Sequence, residues 1–380
     1  MNRRDFLTGA ATGIALGAGG TYVALKNQGK GGKGGESGPA IIAKKTRAWR
    51  MVTTWPEKFP GLGTSAERLA QRITAMSGGE LVVKVAAAGT VVPAFGSFDA
   101  VAQGSVEMGH AASYYWQGKS KSFNFFAAVP FGLTAQELSA WINYGGGQAL
   151  WDEGYGKFGL KPFLAGNTGV QMGGWFKKEI RSMEDFKGLK MRMPGLGGEV
   201  LRRVGASAES LPGAEIFSAL QSGRIDATEW VGPWNDLAFG FYKIAKNYYW
   251  PGFHEPGTGI ECFVNKAKFD ALPGHLKEVI TTACRAEAEA MLGEFNRRNG
   301  AALKVLIERH GVKLHRFPGD VMKALGKASE QVLGELEGAD DLTKRTYRSF
   351  RAFRDEAISW SRLSDQGYLD MRHKILRAGS

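Results

Sequence analysis

Residues 166–176 read Gly-Asn-Thr-Gly-Val-Gln-Met-Gly-Gly-Trp-Phe, and this stretch decides the fold of the chain. Its pattern predicts a strand that runs into a turn and leaves the amide of Gln171 among glycines. Glycine lets the backbone approach a bound group closely and adopt turns that are barred to other residues. We therefore expect Gln171, on the opening strand of a lobe, to face a gap and to contact a ligand.

Two later segments have the same character. Residues 189–195 contain Arg192, and residues 226–236 contain Glu229, each at the end of a predicted strand. In open α/β sheets, ligands collect beyond the carboxyl ends of the strands, so both side chains occupy the expected places. With Gln171 they supply a guanidinium, a carboxylate and an amide, which a small anion and a cation would need together.

The segment before this stretch predicts the order β-α-β-α-β of a mostly parallel sheet with right-handed crossovers. The apolar spacing and the helix-end signals fix the approximate bounds. Strands are expected over 48–54, 80–86 and 106–112, and helices over 65–76, 97–103 and 141–154. Beyond the stretch, strands over 189–193, 225–230 and 261–265 alternate with helices over 198–204 and 214–222, and residues from 273 onward are helical apart from 311–318.

A chain of 380 residues is too long for one compact core, so two lobes are expected. We assign 44–159 to lobe one, 160–265 to lobe two, and 266–380 to a helical segment that completes the lobes. The late part of that segment carries Tyr347, Phe350, Phe353 and Trp360. It is typical of a long amphipathic helix whose apolar face needs a partner.

Residues 1–43 are predicted to be an export signal followed by a glycine-rich tether. Arg3 and Arg4 precede Phe6 and Leu7, which is the twin-arginine pattern. This route implies export of a folded chain from a bacterial cytoplasm to the periplasm. Because Ala-x-Ala is missing after the apolar run, cleavage of the signal and its retention as an anchor both stay open.

Charge and cysteine content narrow the function classes. The formal net charge is +12, but lysine and arginine are spread through amphipathic segments, which disfavours nucleic-acid binding. The excess positive charge belongs to an ordinary soluble surface or attracts small anions.

The two cysteines exclude further classes. Cys262 and Cys284 are too far apart for a Cys-x-x-Cys motif, so an iron–sulfur or haem protein is disfavoured. Cys284 lies in a helical apolar pattern and is expected in the core, and a disulfide is permitted but not required.

Six segments carry long motifs: 98–101 (Phe-Asp-Ala-Val), 114–118 (Tyr-Tyr-Trp-Gln-Gly), 166–176, 188–192 (Gly-Leu-Lys-Met-Arg), 226–233 (Asp-Ala-Thr-Glu-Trp-Val-Gly-Pro) and 254–257 (His-Glu-Pro-Gly). Together they resemble the extracytoplasmic solute-binding proteins of TRAP transporters, in the branch that binds 2-oxo and 2-hydroxy monocarboxylates. The resemblance implies an α/β, two-lobed periplasmic solute-binding fold with a hinge and long C-terminal helices. It also implies a cation bound with the substrate, delivery to TRAP permease subunits in the membrane, and a possible homodimer, since some relatives exchange a C-terminal helix.

The resemblance assigns roles to four residues. Arg192 would hold the substrate carboxylate through two parallel N–H bonds, which a planar guanidinium supports and lysine does not. Gln171 and Glu229 would offer side-chain oxygens, and Trp230 its backbone carbonyl, to Na⁺ or Ca²⁺, because hard cations prefer oxygen ligands. The alternatives are a surface ion pair for Arg192, a loop-closing amide for Gln171 and a solvated carboxylate for Glu229.

Further residues are candidates for the walls of the site. Tyr115 and Asn167 are expected to contact the substrate beside Trp230, and Trp55 and Phe95 are possible walls. For each of them, ordinary packing or loop structure is the alternative.

The sequence leaves two roles for Glu255. It is either a further cation ligand or a salt-bridge partner in the basic second lobe.

An enzyme is the rival class of function. A carboxylate, an arginine and a metal at a cleft could also act on small oxo acids. Only His254 falls beside these residues as a general base, and a loop histidine bonded to backbone is its alternative. We therefore predict a binding protein without catalysis, with a metal-assisted enzyme and a ligand-free scaffold as the alternatives.

Overall fold

The computed structural model describes residues 46–377, so the predicted signal and tether at 1–43 lie outside the described residues. Within the described range, eleven strands form two sheets. The strands are β1 (Arg47–Thr53), β2 (Leu81–Ala86), β3 (Met108–Ala111), β4 (Leu160–Asn167), β5 (Gly174–Phe176), β6 (Lys190–Arg192), β7 (Ser207–Glu209), β8 (Ala227–Thr228), β9 (Asn247–Trp250), β10 (Gly259–Asn265) and β11 (Lys313–Arg316).

Twelve α-helices lie in the same part of the chain. They are α1 (Leu62–Met76), α2 (Ser97–Ala102), α3 (Ala135–Tyr144), α4 (Gly147–Gly156), α5 (Gly195–Arg203), α6 (Gly213–Ser222), α7 (Pro233–Phe239), α8 (Lys266–Asp270), α9 (Gly274–His310), α10 (Gly319–Gly334), α11 (Asp341–Ser361) and α12 (Asp365–Arg377). Short 3₁₀ helices cover Ala94–Gly96, Ser113–Trp116, Lys121–Phe126, Met183–Phe186, Phe241–Lys243 and Glu335–Gly338. No helix among the described residues is both long enough and apolar enough to cross a membrane.

The first sheet has the strand order β2-β1-β3-β10-β4. β1 runs parallel to β2 and β3, which confirms the predicted β-α-β-α-β start, and β10 is antiparallel to β3 and β4. Parallel neighbours need crossover connections, and α1 and α2 supply them. α1 buries Leu62, Ala66, Leu69 and Ile73, whose spacing of three or four residues forms one apolar stripe against the sheet.

The second sheet has the order β11-β9-β5-β8-β6-β7. β6 is parallel to β7 and β8, whereas β5 is antiparallel to β8 and β9. Two mixed sheets, each covered by helices, give the predicted two-lobed α/β fold.

The lobes divide differently from the boundaries predicted at residues 160 and 265. β4 and β10 fall inside the range predicted for lobe two, yet both belong to the first sheet. The reason is that β10 pairs along its whole length with β4 and also with β3, and such long-range pairing leaves no local pattern in the sequence. The chain passes to lobe two after β4, returns to lobe one for β10, and crosses to lobe two again for β11.

The helix predicted over 141–154 is in fact two helices, α3 and α4. They are separated at Gly145 and Gly146, and Gly146 has a φ of 86°. This left-handed conformation is open to glycine without strain and ends the run of helical backbone.

Helix α9 joins the two lobes. Its 37 residues make it about 55 Å long at 1.5 Å per residue. It packs against β4 and α1 of lobe one and against α7, which follows β8 in lobe two. Buried Glu287 of α9 accepts hydrogen bonds from Arg68 of α1, at 2.6 Å from Nη2, so α9 is fastened to lobe one by charge as well as by packing.

The C-terminal helices are long, as predicted, but only part of their apolar surface is covered. Tyr347 and Phe350 of α11 are buried, whereas Trp360 is 69% exposed. Most of the side chains of α12 are exposed, including Tyr368. Leu363, just before α12, is exposed as well.

Cys262 and Cys284 are buried as free thiols in the core of lobe one. The prediction of a core position for Cys284 is therefore right.

Candidate functional site

The predicted strand-end residues meet in the cleft between the lobes. Arg192 is the last residue of β6 and pairs in register with Thr228 of the parallel strand β8, so Glu229 follows at the same edge of the sheet. Arg192 and Glu229 are 1% and 0% exposed. The alternatives of a surface ion pair and a solvated carboxylate are thus excluded by burial.

The guanidinium of Arg192 has partners on several sides. Its Nη1 donates to a carboxylate oxygen of Glu229, and its Nε donates to the carbonyl of Leu211 at 3.3 Å. The Tyr115 hydroxyl lies 3.5 Å from Nη2, and the indole ring of Trp230 lies 5.0 Å from the guanidinium carbon. A buried arginine needs such partners because an unpaired buried charge is strongly destabilising.

The sequence predicts Gln171 on a strand, which is wrong: Gln171 lies in the connection between β4 and β5. Its Nε2 donates to the hydroxyls of Thr168 at 3.1 Å and Thr258 at 3.0 Å. Both amide hydrogens are used in this way, and the buried Oε1 has no hydrogen-bond partner among the described residues. The amide is therefore oriented by two threonines and keeps one oxygen available.

Glu229, His254 and Glu255 form a buried cluster whose candidate ligand atoms lie within 4.8 Å of one another. Glu229 Oε2 is 3.5 Å from His254 Nε2, and neither atom has a hydrogen-bond partner in the described part of the chain. Glu255 accepts a hydrogen bond from the Thr258 hydroxyl. Burial, reinforced by the charge of Glu229, raises the pKa of Glu255 to about 7. Two carboxylates this close are the environment in which a bound cation is stabilising.

The donor set fits a hard cation. Gln171 Oε1 and Glu229 Oε2 are buried oxygens without partners, and both belong to residues that the sequence predicts as ligands together with Trp230 and Glu255. Amide, carboxylate and carbonyl oxygens are the ligands that Na⁺ and Ca²⁺ prefer. His254, which is 2% exposed, adds a nitrogen to this oxygen-rich surrounding, and neither ring nitrogen has a hydrogen-bond partner within residues 46–377.

Aromatic side chains enclose the site. A cavity of about 10 Å³ lies beside Gln171 and Trp230. Its lining residues come from both lobes and the connections: Trp55, Leu62, Tyr114, Tyr115, Thr168, Gln171, Trp230, Val231, Thr258 and Ile260. Tyr115 and Trp55 line this cavity, and Phe95 lies next to Tyr115 with its ring centroid 4.9 Å away.

Asn167 does not line this cavity. Its Oδ1 accepts from the Gly169 amide at 2.8 Å, and its Nδ2 donates to the Gly257 carbonyl at 3.3 Å. Both ends of the side chain hold backbone, so the geometry favours loop structure over substrate contact for this residue.

Some functional positions are missed by sequence reasoning. Thr168 and Thr258 orient Gln171, and His110 orients Trp55 by accepting a 2.8 Å bond from its indole nitrogen. Burial lowers the pKa of His110 to about 3, so the ring stays neutral and keeps this acceptor. Thr258 follows the His-Glu-Pro-Gly motif, which is the one signal that could have indicated it.

Comparison with known proteins identifies relatives of this chain. The monocarboxylate 2-oxoacid-binding periplasmic protein of Nostoc sp. (strain PCC 7120) is 43% identical over 320 residues, which cover 84% of this chain and 87% of the relative. A second relative, the solute-binding protein of Albidiferax ferrireducens, is 29% identical over 36% of this chain and 40% of its own length.

Solved structures of TRAP solute-binding proteins are also similar to this chain. A TRAP periplasmic solute-binding protein of Pseudoalteromonas atlantica T6c, with bound sodium and pyruvate, is 43% identical with a TM-score of 0.83, and the match covers 86% of this chain and 99% of that one. The protein from Colwellia psychrerythraea, with bound calcium and pyruvate, is 42% identical with the same TM-score and coverage. The protein from Bordetella bronchiseptica RB50, a mixed-occupancy dimer with calcium and picolinate, is 36% identical with a TM-score of 0.86, covering 88% of this chain and 99% of that one.

Residues 51–338 match the family of bacterial extracellular solute-binding proteins, family 7 (DctP), and the chain belongs to this family of TRAP-transporter solute-binding proteins.

Proposed function

We propose that this protein captures a 2-oxo monocarboxylate such as pyruvate, together with Na⁺ or Ca²⁺, and delivers it to a TRAP permease in the membrane. One observation carries the proposal. Two buried oxygens without hydrogen-bond partners among the described residues, Gln171 Oε1 and Glu229 Oε2, lie in the cleft that also holds Arg192. An acceptor pair beside a guanidinium suits a cation beside an anion.

Charge balance supports the joint binding of both ions. Arg192 and Glu229 are paired in a dry site, so a single added charge would be left uncompensated. An anion and a cation entering together add no net charge. Arg192 then holds the carboxylate in a bidentate fashion, while Glu229 turns to the cation.

The residues that would hold the cation are Gln171, Glu229 and the Trp230 carbonyl, with Glu255 beside them. A bound cation would supply positive charge to the carboxylate and 2-oxo oxygens of the ligand. The named relatives from Pseudoalteromonas and Colwellia, described with sodium or calcium and pyruvate, support this assignment.

An enzyme is the less supported alternative. The family consists of transport receptors, and His254, the base considered from sequence, lies 3.5 Å from Glu229 Oε2, a proposed cation ligand. Transport requires that the ligand leave unchanged.

The location and assembly of the protein complete the proposal. The family is extracytoplasmic, and Arg3 and Arg4 favour the twin-arginine route for residues 1–43 as signal and tether.

A second copy of the chain is proposed to cover the exposed apolar side chains near α12, which include Leu363 and Tyr368. The dimeric relative from Bordetella supports this, and sedimentation equilibrium of the protein against a Tyr368→Glu variant tests it.

A thermal-shift panel tests the binding function. Pyruvate should raise the unfolding midpoint in the presence of Na⁺ or Ca²⁺, because a ligand selective for the folded state stabilises it by mass action. Propionate, which lacks the 2-oxo oxygen, is the matched control and should have a much smaller effect. No shift with any 2-oxo or 2-hydroxy acid, at any cation concentration, would refute the proposal.

A further inference from the structure

Asn235 connects the wall of the site to the opposite lobe. It lies in the first turn of α7, is fully buried, and has both ends of its amide engaged. Its Oδ1 accepts from the indole nitrogen of Trp230 at 3.2 Å, and its Nδ2 donates to the carbonyl of Pro60 at 2.9 Å. Trp230 follows β8 in lobe two, whereas Pro60 precedes α1 in lobe one. A single side chain thus bridges the cleft.

The segment around Pro60, residues 56–61, packs closely on α7. The ring centroid of Phe59 lies 4.3 Å from that of Phe239, at the end of α7, and 6.2 Å from that of Trp230. At Gly61, whose φ is +74°, an added Cβ would come within 2.9 Å of the Trp234 ring. The contact leaves no room for a side chain, so the Asn235 bond forms inside a close-fitting interface between the lobes.

Two other polar contacts between the lobes are longer. The hydrogen bond from Arg192 to Tyr115 and the one from exposed Lys121 to Glu199 are each 3.5 Å long. At 2.9 Å, with the Asn235 side chain fully buried and Pro60 half-buried, the bond from Asn235 to Pro60 is shorter. Loss of one partner of a buried hydrogen bond leaves the other unsatisfied, which costs more than loss of an exposed one.

We propose that Asn235 is a positioning residue that couples closure of the cleft to ligand retention. Its bond to Trp230 fixes the indole of the residue whose carbonyl faces the cation, and its bond to Pro60 exists only while the lobes are together. Ligand release requires the lobes to part, so this bond slows release. The inference rests on the proposed function, because it concerns how long the carboxylate and cation stay bound.

Asn235→Asp separates the two bonds. The variant keeps an oxygen for the Trp230 indole and keeps the size of the side chain, but it removes the donor to Pro60 and sets an oxygen against that carbonyl. We expect pyruvate to dissociate about tenfold to a hundredfold faster in saturating Na⁺ or Ca²⁺, with association within a fewfold of the wild-type rate. Stopped-flow tryptophan fluorescence at pH 8 measures both rates.

Asn247→Asp is the matched control. Asn247 also engages both ends of its amide, with His315 Nε2 3.1 Å from Oδ1 and a donation from Nδ2 to the Phe176 carbonyl at 3.2 Å. These bonds lie within the second sheet and do not cross the cleft. This variant should release pyruvate at the wild-type rate. Phe59→Leu, which loosens the same interface without touching Asn235, should accelerate release in the same direction and serves if Asn235→Asp does not fold.

The possible outcomes distinguish the proposed function from the latch, by which we mean the bond from Asn235 to Pro60 that slows ligand release. If the wild-type protein binds pyruvate and both Asn235→Asp and Phe59→Leu release it at the wild-type rate, the latch is wrong and the function stands. Equal acceleration by Asn247→Asp would also overturn the latch, because a general loss of stability would then explain the effect. A wild-type protein that binds no 2-oxo acid would overturn the proposed function and the latch together.

Discussion

Arg192 and Glu229 satisfy each other only in part. Arg192 Nη1 donates to Glu229 Oε1, whereas Glu229 Oε2 lies 3.5 Å from His254 and has no hydrogen-bond partner among residues 46–377. The pair therefore neutralises the buried charges and still leaves an acceptor free. An arrangement of this kind can exchange its internal ion pair for a bound anion and a bound cation, since each residue already has the sign that one of the ions needs.

Arg192→Lys should weaken pyruvate binding much more than it weakens folding. The charge remains, but the two parallel N–H donors of the guanidinium are lost. Breaking a buried charge pair typically costs about 2–5 kcal/mol, which corresponds to an affinity loss of roughly thirtyfold to several thousandfold. Calorimetric titration measures this, with Arg181→Lys, at an exposed pair with Glu179, as the control. Near-unchanged affinity in a folded variant would remove Arg192 from the site.

Glu229→Gln should weaken the cation first and the anion through it. The substitution removes the negative charge and keeps an oxygen, so the cation loses an electrostatic partner and buried Arg192 loses its ion pair, which also lowers stability. We expect the Ca²⁺ affinity to fall by at least tenfold in calorimetry. Glu179→Gln, on the exposed surface, should leave Ca²⁺ binding as it is. An unchanged Ca²⁺ affinity in Glu229→Gln would exclude this residue as a ligand.

The sequence predicts that Arg192 and Glu229 lie together, because each follows from the rule that ligands collect at the carboxyl ends of strands. The structure buries both side chains in contact with each other, and their role in binding stays a prediction. The glycines around Gln171 indicate an amide that faces a gap in the same way. These signals are local, so a single sequence carries them.

The orienting contacts of the site could not be predicted, because they are long-range. Thr258 lies 87 residues from Gln171, and His110 lies 55 residues from Trp55. Nothing in the local pattern of either residue indicates its partner. The position of β10 in the first sheet escapes prediction for the same reason, since it depends on hydrogen bonds to β3 and β4.

Glu261→Gln should flatten part of the pH dependence of stability. Burial raises the pKa of Glu261 to about 8, against an ordinary value of about 4.5, although the Tyr155 hydroxyl and the Trp116 indole both donate to it. The folded state therefore holds a proton that the unfolded state has lost. Stability from this group is full below about pH 4.5 and falls as pH rises to about 8, by at most about 1.4 kcal/mol per pH unit.

Urea unfolding of wild type and Glu261→Gln between pH 5 and pH 8 measures the difference. Burial also raises the pKa values of Asp236 and Glu255 to about 7, which contributes a slope of the same sign, so the variant should be flatter but not level. Identical slopes for the two proteins would show that Glu261 is ionised in the folded state.

Replacement of both Arg3 and Arg4 by lysine should leave the protein in the cytoplasm. The twin-arginine route reads the guanidinium pair and not charge alone. Cell fractionation followed by immunoblotting measures the periplasmic share, and replacement of Lys30 and Lys33 by arginine, which leaves the pair intact, is the control. A double-lysine variant that reaches the periplasm in normal amount would assign the signal to another pathway.

Cation and anion should bind cooperatively and by the same factor in both directions. Gln171 Oε1 and Glu229 Oε2 alone are few ligands for Na⁺ or Ca²⁺, and the carboxylate and 2-oxo oxygens of pyruvate would complete the shell. Coupling energies of this kind are typically about 1–3 kcal/mol and must be reciprocal. Pyruvate is titrated into chelator-treated protein at several Ca²⁺ concentrations, and Ca²⁺ at several pyruvate concentrations. Both affinities should rise about fivefold to 150-fold at saturation with the other ligand. A pyruvate affinity that ignores both Na⁺ and Ca²⁺ would defeat the shared site and leave Arg192 as a simple anion clamp.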